Sequence, residues 1–184
     1  MKKFVALMLA LVMVLALCAC GGNSDPKPTD EAKDYSSMTL DQLKAELTTV
    51  KEGKLTVATS PDFAPYEFYS VGENGDATLV GFDIAFAKYI ADKLGLELEI
   101  VPMDFDGTLA ELGAKKCDLG MAGYSPDPDR ANLMNFSKIY YEGGQCFITS
   151  KANADKIKSL DDANNSQYKI GAQTGSIQSK LAKQ

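Results

Sequence analysis

Arg130 is the residue with the most evident chemistry in this sequence. It is the only arginine among 19 basic residues, and it follows the run Ser125-Pro126-Asp127-Pro128-Asp129. A guanidinium is a rigid fork that can bind a carboxylate through two hydrogen bonds, whereas a lysine is a point charge. Arg130 is therefore either a carboxylate clamp or a surface residue paired with the neighbouring aspartates, and the spacing alone leaves both readings open.

Two other local features could contact a ligand. Gly175-Ser176 stands at the start of a predicted helix, where free N–H groups favour an anion, although the same residues are also ordinary cap and turn formers. Aromatic side chains crowd one predicted strand-to-helix loop: Phe63, Tyr66, Phe68 and Tyr69. Most of these rings are expected to pack in the core, while one exposed ring could stack on a ligand.

Composition excludes several classes of function. The 184 residues contain no histidine, which rules out Ser–His and Cys–His nucleophile pairs and His–carboxylate metal sites within this chain. A net charge of −6 and a pI near 4.7 give no basic surface for a phosphate backbone, so we expect no nucleic-acid partner. No residue pattern indicates a metal or another cofactor.

The N-terminus is typical of an export signal. Lys2 and Lys3 precede an apolar run over 4–19, which is shorter than the ~20 residues that a spanning helix needs. The run ends in Leu17-Cys18-Ala19-Cys20, which resembles a bacterial lipobox, so we expect cleavage after 19 and acylation of Cys20. The polar stretch that follows predicts a disordered tether over 20–38. Acylated Cys20 would anchor the protein on the outer face of the plasma membrane, its periplasmic side.

The elements after the tether indicate an α/β fold. A short helix is expected within 39–52, followed by a strand over 54–59, a helix over 82–95 and an alternating, edge-type strand over 96–100. A second short helix is expected after Asp106, and a small-residue strand over 117–123. Strand–helix–strand order predicts a parallel sheet with ligands at the carboxyl ends of its strands, within 60–66, 102–106 and 123–130.

The last part of the sequence repeats this pattern once. A strand-like run covers 145–151, a strand is predicted over 168–172, and a helix begins near Ser176. Cys117 and Cys146 lie in apolar runs and are expected to be unpaired thiols. Because about 35 residues cannot bury a core of their own, we expect the first lobe, 53–146, to be mostly present and a second lobe, beginning at 147, to be truncated.

Five segments in order resemble a known family. They are KLTVATSPDFAPYEF (54–68), LVGFDIAFAKYIADKLG (79–95), PMDFDGTLAELGAKKCDLGMAGYSPDPDR (102–130), NFSKIYY (135–141) and IGAQTGS (170–176). Together they resemble the polar amino-acid-binding proteins of bacterial ABC importers, closest to those for glutamine and other polar or charged amino acids. The resemblance implies a two-lobe, periplasmic-binding-protein-like α/β fold that closes around one amino acid and presents it to permease subunits.

The resemblance also implies a ligand site. Arg130 would clamp the ligand α-carboxylate with Ser125 beside it, Phe63 would stack on the ligand, and the second lobe would contribute residues after 172. The complete set of implied ligand-binding positions is Ser60, Phe63, Phe105, Ala122, Gly123, Ser125, Arg130, Gln173, Ser176 and Ile177. Ser60 stands where members of the family often carry Asp, a departure that weakens the expectation of a cationic ligand side chain. Ser125-Pro126-Asp127 replaces a more usual Thr-rich stretch.

The resemblance favours a monomeric receptor and leaves two alternatives. A cyclohexadienyl or arogenate dehydratase-like enzyme shares the fold and needs an arginine for its substrate carboxylate. That enzyme also needs an acidic group poised over the substrate ring, and the sequence predicts no buried carboxylate pair. A sensing lobe of a signalling system is the third reading, and the predicted lipid anchor argues against it.

Overall fold

The structure is a computed structural model that describes residues 35–184. The predicted signal peptide over 1–19, the predicted lipidation at Cys20 and the predicted tether as far as residue 34 lie outside the described residues. The chain divides into two compact units between Thr39 and Leu40. The described part of the first unit is a turn in which the Met38 N–H donates to the Tyr35 carbonyl over 3.2 Å.

All described helices and strands belong to the second unit. In chain order they are α1 (Leu40–Glu46), β1 (Lys54–Thr59), β2 (Asp62–Phe63), β3 (Glu67–Val71), β4 (Ala77–Val80), α2 (Phe82–Leu94), β5 (Glu97–Pro102), α3 (Phe105–Gly113), β6 (Leu119–Gly120), a 3-10 turn (Pro128–Arg130), α4 (Leu160–Ala163) and α5 (Ile177–Leu181). None of the helices in this part of the chain has the length and apolarity needed to cross a membrane.

A parallel sheet of three strands carries the core. Its order is β5-β1-β6, with Lys54 opposite Glu97 and Val57 opposite Leu119. The predicted strand–helix–strand arrangement and the edge position of β5 are confirmed. β1 is buried over 55–59 because it lies between two strands and beneath the helices, whereas β5 has a free side.

The helix α2 covers this sheet with its small residues. Ala87 and Ala91 are fully buried against Leu55, Val57 and Met121, and partly buried aliphatic and aromatic residues flank them. The helix ends at Gly95, whose φ of 76° allows a left-handed turn in which its N–H bonds to the last carbonyls. The predicted range and its glycine stop are confirmed.

A second, antiparallel sheet stands where the sequence predicts only a strand-to-helix loop. β2, β3 and β4 pair in that order, and the turn over 72–76 closes the hairpin between β3 and β4. The aromatic run around Tyr66 therefore belongs to a sheet, and the prediction of a loop there is wrong. Strands this short escape detection because their alternation covers too few residues to stand out.

Two boundaries in the first half differ from prediction. α3 begins at Phe105, before Asp106, because the Asp104 carboxylate caps it by accepting from the Gly107 N–H over 2.6 Å. The strand predicted over 117–123 is paired only at Leu119–Gly120. Cys117 is nevertheless buried, so the apolar run predicts burial better than it predicts strand pairing.

The second half of the chain is more irregular than predicted. Neither 145–151 nor 168–172 forms a strand, and Ile148 is 92% exposed. A strand needs a neighbour to receive its hydrogen bonds, and no described strand lies beside either segment. Cys117 and Cys146 are both free, the first buried and the second exposed. The helix predicted near Ser176 is confirmed as α5.

Candidate functional site

A cavity of about 840 Å³ lies beyond the carboxyl ends of the parallel strands. Its walls come from the β2–β3 region, the start of α3, the loop over 122–130 and the segments around 145–147 and 160–184. Eight of the ten positions implied by the family resemblance line it: Phe63, Phe105, Ala122, Gly123, Ser125, Arg130, Gln173 and Ile177. The fold therefore brings together residues separated by more than a hundred positions in the sequence.

Arg130 is held at the cavity wall by a short turn. The Arg130 N–H donates to the Asp127 carbonyl over 3.0 Å, and the Asp127 carboxylate caps the turn by accepting from the Asp129 N–H over 3.1 Å. The Arg130 side chain is 12% exposed, and one of its terminal nitrogens donates to the Gly175 carbonyl over 2.5 Å. Arg130 is salt-bridged to Asp127, as the second reading expects, but its guanidinium is mostly buried and does not lie on the surface.

The negative charge nearest to Arg130 is shared with a lysine. The Arg130 Nε lies 3.8 Å from the Asp127 Oδ2, whereas the Lys180 Nζ approaches the Asp127 Oδ1 to 3.0 Å and also pairs with Asp129. The hydrogen bond from Lys180, followed by the bond from the Asp129 N–H, lowers the pKa of the Asp127 carboxyl. Because Lys180 occupies Asp127, the positive charge of Arg130 stays available to a second anion.

The segment over 173–180 meets the first half of the chain through several contacts. The Gln173 side-chain amide donates to the Asp62 Oδ2 over 2.9 Å. Gly175 has a φ of 74°, which favours glycine, and a Cβ there would require the exposed Asp106 carboxylate to move. Ser176 caps α5 by accepting from the Ser179 N–H over 3.1 Å.

Phe63 is an exposed aromatic ring of the cavity wall. It is 45% exposed and stacks on Tyr66, with 5.3 Å between ring centroids. Gly123 packs beneath it: a Cβ at Gly123 would lie 2.7 Å from the Phe63 Cε1, and the φ of 58° also favours glycine. The open face of Phe63 is suited to stacking on a flat or aliphatic ligand group.

Two of the ten implied positions do not line the cavity. Ser60 is buried, and its hydroxyl donates to the Asp62 Oδ1 over 3.0 Å. Ser176 is buried as the cap of α5, with its hydroxyl donating to the Gln173 carbonyl over 2.7 Å. Both serines support cavity residues, Asp62 and Gln173, rather than face the space themselves.

A buried pair of carboxyl groups is the feature that sequence reasoning missed. Glu67 and Asp83 are both 0% exposed, and Glu67 belongs to the cavity wall. Asp83 accepts from the Gly123 N–H over 3.3 Å and from the Tyr140 hydroxyl over 3.0 Å. Among residues 35–184, the one side chain that hydrogen-bonds the Glu67 carboxyl group is Asp83. The prediction that no buried carboxylate pair exists is therefore wrong.

The backbone around Gly81 brings these two acids together. The Asp83 N–H donates to the Tyr66 carbonyl over 2.9 Å, which places the first turn of α2 beside β3. A Cβ at Gly81 would lie 2.1 Å from the same carbonyl oxygen, so this approach requires glycine. The sequence signal that could have found the pair is a glycine directly before a helix whose first turn carries an acid, next to an aromatic strand that contains a glutamate.

Burial changes the acidity of Glu67. Desolvation, reinforced by the negative charges of Asp83 and Asp62, raises the pKa of the Glu67 carboxyl to about 9. Burial together with the charge of Asp83 also raises the pKa of the Tyr140 hydroxyl, so that group remains a hydrogen-bond donor. Glu67 therefore holds a proton at neutral pH. Among the described acids of the cavity wall, it is the one whose pKa is raised.

Several proteins of known description are related to this chain in sequence. The family model for bacterial extracellular solute-binding proteins, family 3, matches residues 55–182. The arginine-binding extracellular protein ArtP of Bacillus subtilis (strain 168) is 32% identical over 184 residues, which is all of this chain and 60% of ArtP. A cyclohexadienyl dehydratase of Pseudomonas aeruginosa is 29% identical over 127 residues, or 68% of this chain and 46% of that enzyme.

Solved structures give the same relationship. An amino acid ABC transporter substrate-binding protein, AbpA from Streptococcus pneumoniae Canada MDR_19A bound to L-arginine, superposes with a TM-score of 0.68. It is 42% identical, and the match covers 72% of this chain and 54% of that one. The present chain thus spans roughly three fifths of the length of ArtP, and its α/β fold is that of periplasmic binding proteins. The chain belongs to the bacterial extracellular solute-binding proteins of family 3.

Proposed function

We propose that the protein is an extracytoplasmic receptor that captures a polar amino acid and delivers it to the permease of an ABC importer. The observation that carries this proposal is the Arg130 guanidinium, which is mostly buried and lines the cavity, while its nearest acid, Asp127, is shared with Lys180. A small zwitterion supplies the carboxylate that such a group binds best. ArtP and AbpA, whose names state amino-acid binding or transport, support the same ligand class.

The cavity offers a contact for each part of an amino acid. Arg130 would clamp the α-carboxylate with Ser125 beside it, and Phe63 would stack on the side chain. Gln173 and Ile177 would close over the ligand from the other wall. A carboxylate would compete with the Gly175 carbonyl for the same guanidinium, so ligand entry would exchange one Arg130 hydrogen bond for a stronger, charged one.

Ligand capture would be coupled to closure of two lobes. We assign 53–146 to the first lobe and 147–184 to the beginning of the second. A ligand that touches both lobes favours the closed form only through contacts made in that form. The contacts of Gln173 with Asp62 and of Lys180 with Asp127 already join the two parts. Closure would present the surface that the permease reads.

The N-terminal sequence would keep this receptor near its permease. Lipid on Cys20 would hold the protein on the outer face of the plasma membrane, and the polar stretch over 20–38 would act as a tether. A monomer suffices for this role, because one chain would bind one ligand and reach one transporter.

A dehydratase is the second candidate, and one observation favours it. Glu67 is a protonated carboxyl group in the cavity wall at neutral pH, which is a property of a general acid, and a cyclohexadienyl dehydratase is among the relatives. Glu67 is 0% exposed, however, and a general acid must reach its substrate. We therefore retain the receptor as the proposed function.

A thermal-shift panel of the twenty amino acids on the full-length protein, read beside a turnover assay, tests the choice. A ligand at 100 times its Kd adds about 2.7 kcal/mol to the free energy of unfolding, so a bound amino acid raises the unfolding temperature by several degrees. We expect such a rise with at least one polar amino acid and no turnover of prephenate or arogenate. Turnover would establish the enzyme instead, and a panel without any shift would remove the receptor.

A further inference from the structure

The turn between β3 and β4 carries the one Asn–Gly pair of the sequence, Asn74-Gly75. A bond from the Gly72 N–H to the Asp76 carbonyl, over 3.0 Å, closes a three-residue hairpin loop there. Gly75 has a φ of 83°, the left-handed conformation in which such loops end. Every residue of the turn is exposed, and β4 is an edge strand of its sheet. Water therefore reaches both the Asn74 side chain and the peptide bond that follows it.

The Asn74 side chain and the Gly75 nitrogen have room to approach each other. A bond from this nitrogen to the side-chain carbonyl carbon makes a five-membered ring, and a side chain on the following residue is what usually obstructs it. Gly75 has none, and no heavy atom apart from its chain neighbours lies within 4 Å of the position where a Cβ would stand. No hydrogen bond within the described part of the chain holds the Asn74 amide.

One hydrogen bond opposes the attack. The Gly75 N–H donates to the Gly72 carbonyl over 2.9 Å, so the nitrogen must leave this partner before it reacts. The bond is exposed to water and lies at the end of a hairpin, where local opening takes little free energy. We therefore expect the closed turn to slow the reaction in the native protein without preventing it.

The one Asp–Gly pair of the sequence, Asp106-Gly107, shows how the fold can suppress the same ring. These residues belong to the first turn of α3, and the Gly107 N–H donates to the Asp104 carboxylate over 2.6 Å. The neighbouring Phe105 and Thr108 are buried, so this turn opens only when the helix unpacks. The sequence offers both pairs, and the structure favours the asparagine in the folded protein.

We propose that Asn74 is a site of spontaneous modification, at which the chain loses ammonia and then takes up water. The Gly75 nitrogen bonds to the Asn74 Cγ, the Cγ–Nδ2 bond breaks, and the amide nitrogen leaves as ammonia with the proton of the Gly75 N–H. Water then opens the ring at either of its carbonyl groups, which leaves an aspartate or an isoaspartate. Nothing is oxidised or reduced, and water is the only co-reactant.

The products alter the hairpin and leave the cavity unchanged. Each adds a negative charge between Glu73 and Asp76, and isoaspartate also lengthens the main chain of the turn by one carbon atom. No residue of this turn is among those that line the cavity. The modification is therefore independent of the proposed function, and ligand binding is not its readout.

Incubation of the full-length protein in water enriched in heavy oxygen, followed by peptide mass spectrometry, tests the site. The pH is mildly alkaline, because the nitrogen attacks without its proton, and digestion in ordinary water ensures that the label dates from the incubation. We expect the peptide that contains Asn74 to lose its amide and gain one heavy oxygen atom over weeks, as a mixture of aspartate and isoaspartate. Asn164 and Asn165, which are also exposed but precede Asn and Ser, should react later.

A parallel incubation in urea measures how much the folded turn slows the reaction. One exposed backbone hydrogen bond corresponds to about a fivefold change in an opening equilibrium, so unfolding should accelerate the loss of ammonia at Asn74 by about fivefold. Asp106 should take up heavy oxygen in urea and keep its original oxygens in the native protein. Uptake at Asp106 as fast as at Asn74 in the native protein would contradict the protection by α3 on which the assignment depends.

The variant Asn74→Gln and its matched control, Asn165→Gln, complete the test. A glutamine would need a six-membered ring, so we expect the first variant to lose the labelled product and the second to form it at the rate of the unmodified protein. Both positions are exposed. Native protein that keeps the Asn74 amide while the same peptide reacts in urea, or that loses the amide of another asparagine first, overturns the inference. That comparison needs no variant.

Discussion

At the scale of single residues, the site depends on one arginine whose nearest acid is shared with a lysine. Asp127 is the closest acid to Arg130, yet its strongest partner is Lys180. A structure in which Asp127 belonged to Arg130 alone would hold a neutral pair with little attraction for a ligand carboxylate. Lys180 thus acts on the site indirectly, through the acid it occupies.

Replacing Arg130 tests this arrangement. We expect Arg130→Ala to weaken amino-acid binding by about 2 to 4 kcal/mol, because a desolvated carboxylate would lose its charged partner. Titration calorimetry with the best ligand of the panel gives the difference. Lys88→Ala is a suitable control, since Lys88 is an exposed member of an i, i+4 pair with Asp92 on α2. Equal affinities of Arg130→Ala and the unmodified protein would exclude Arg130 from the site.

At the scale of elements, the start of α2 determines the position of Asp83 beside Glu67, which lines the cavity. The Gly81 backbone packs on the Tyr66 carbonyl, and this contact places Asp83 beside Glu67 and under Gly123. A side chain at Gly81 cannot be accommodated by rotating a neighbour, because the obstacle is backbone. The helix would have to move away from β3, and the buried acids would separate.

The variant Gly81→Ala should therefore be strongly destabilising. We expect a loss of more than about 3 kcal/mol in the free energy of unfolding, since the change combines an unfavourable φ of 130° with a Cβ at 2.1 Å from the Tyr66 oxygen. Urea denaturation provides the measurement. Gly75→Ala separates the two causes, because Gly75 has a φ of 83° with nothing within 4 Å and should lose only about 1 kcal/mol. Similar losses for both variants would show that the close approach at Gly81 is unimportant.

Elements were predicted correctly where their residue pattern depends only on neighbouring residues in the chain. The glycine stop at Gly95 and the alternation of β5 both follow from neighbours in the chain. Prediction failed where structure depends on distant partners. β2 is too short to show a period, and 168–172 has strand-like residues but no described strand beside it.

The same distinction applies to the site. Eight of the positions implied by the family resemblance are residues of the cavity wall. The Glu67–Asp83 pair was missed because its members are 16 positions apart on different elements and meet only through the Gly81 contact. Nothing in the residue types alone shows that a glutamate in an aromatic strand faces inward.

At the scale of the whole molecule, Glu67 links stability to pH. A carboxyl group that ionises near its ordinary pKa when unfolded, but near pH 9 when folded, binds more protons in the folded state between those values. The free energy of unfolding contributed by this group therefore falls as pH rises through that window. The opposite holds for Asp127, whose lowered pKa gives a contribution that is lost only as the solution becomes acidic.

Unfolding curves across this pH range test the linkage. We expect the unmodified protein to lose stability steadily from about pH 5 to pH 9, and Glu67→Gln to lose less and to be the more stable of the two at the alkaline end. Glu73→Gln, a change in the exposed turn between β3 and β4, should follow the unmodified protein throughout. Parallel curves for the unmodified protein and Glu67→Gln would show that Glu67 ionises normally in the fold.

The exposed edge of β5 affects whether copies of this protein associate through strand pairing. This strand ends the parallel sheet and carries Glu97 and Glu99, both held by Lys54 at 3.3 Å. A strand from another copy that added at this border would have to strip water from these ions and would bring a second row of like charges to the first. Copies of this protein at high concentration would therefore stay separate, with the unpaired backbone groups of β5 still in contact with solvent.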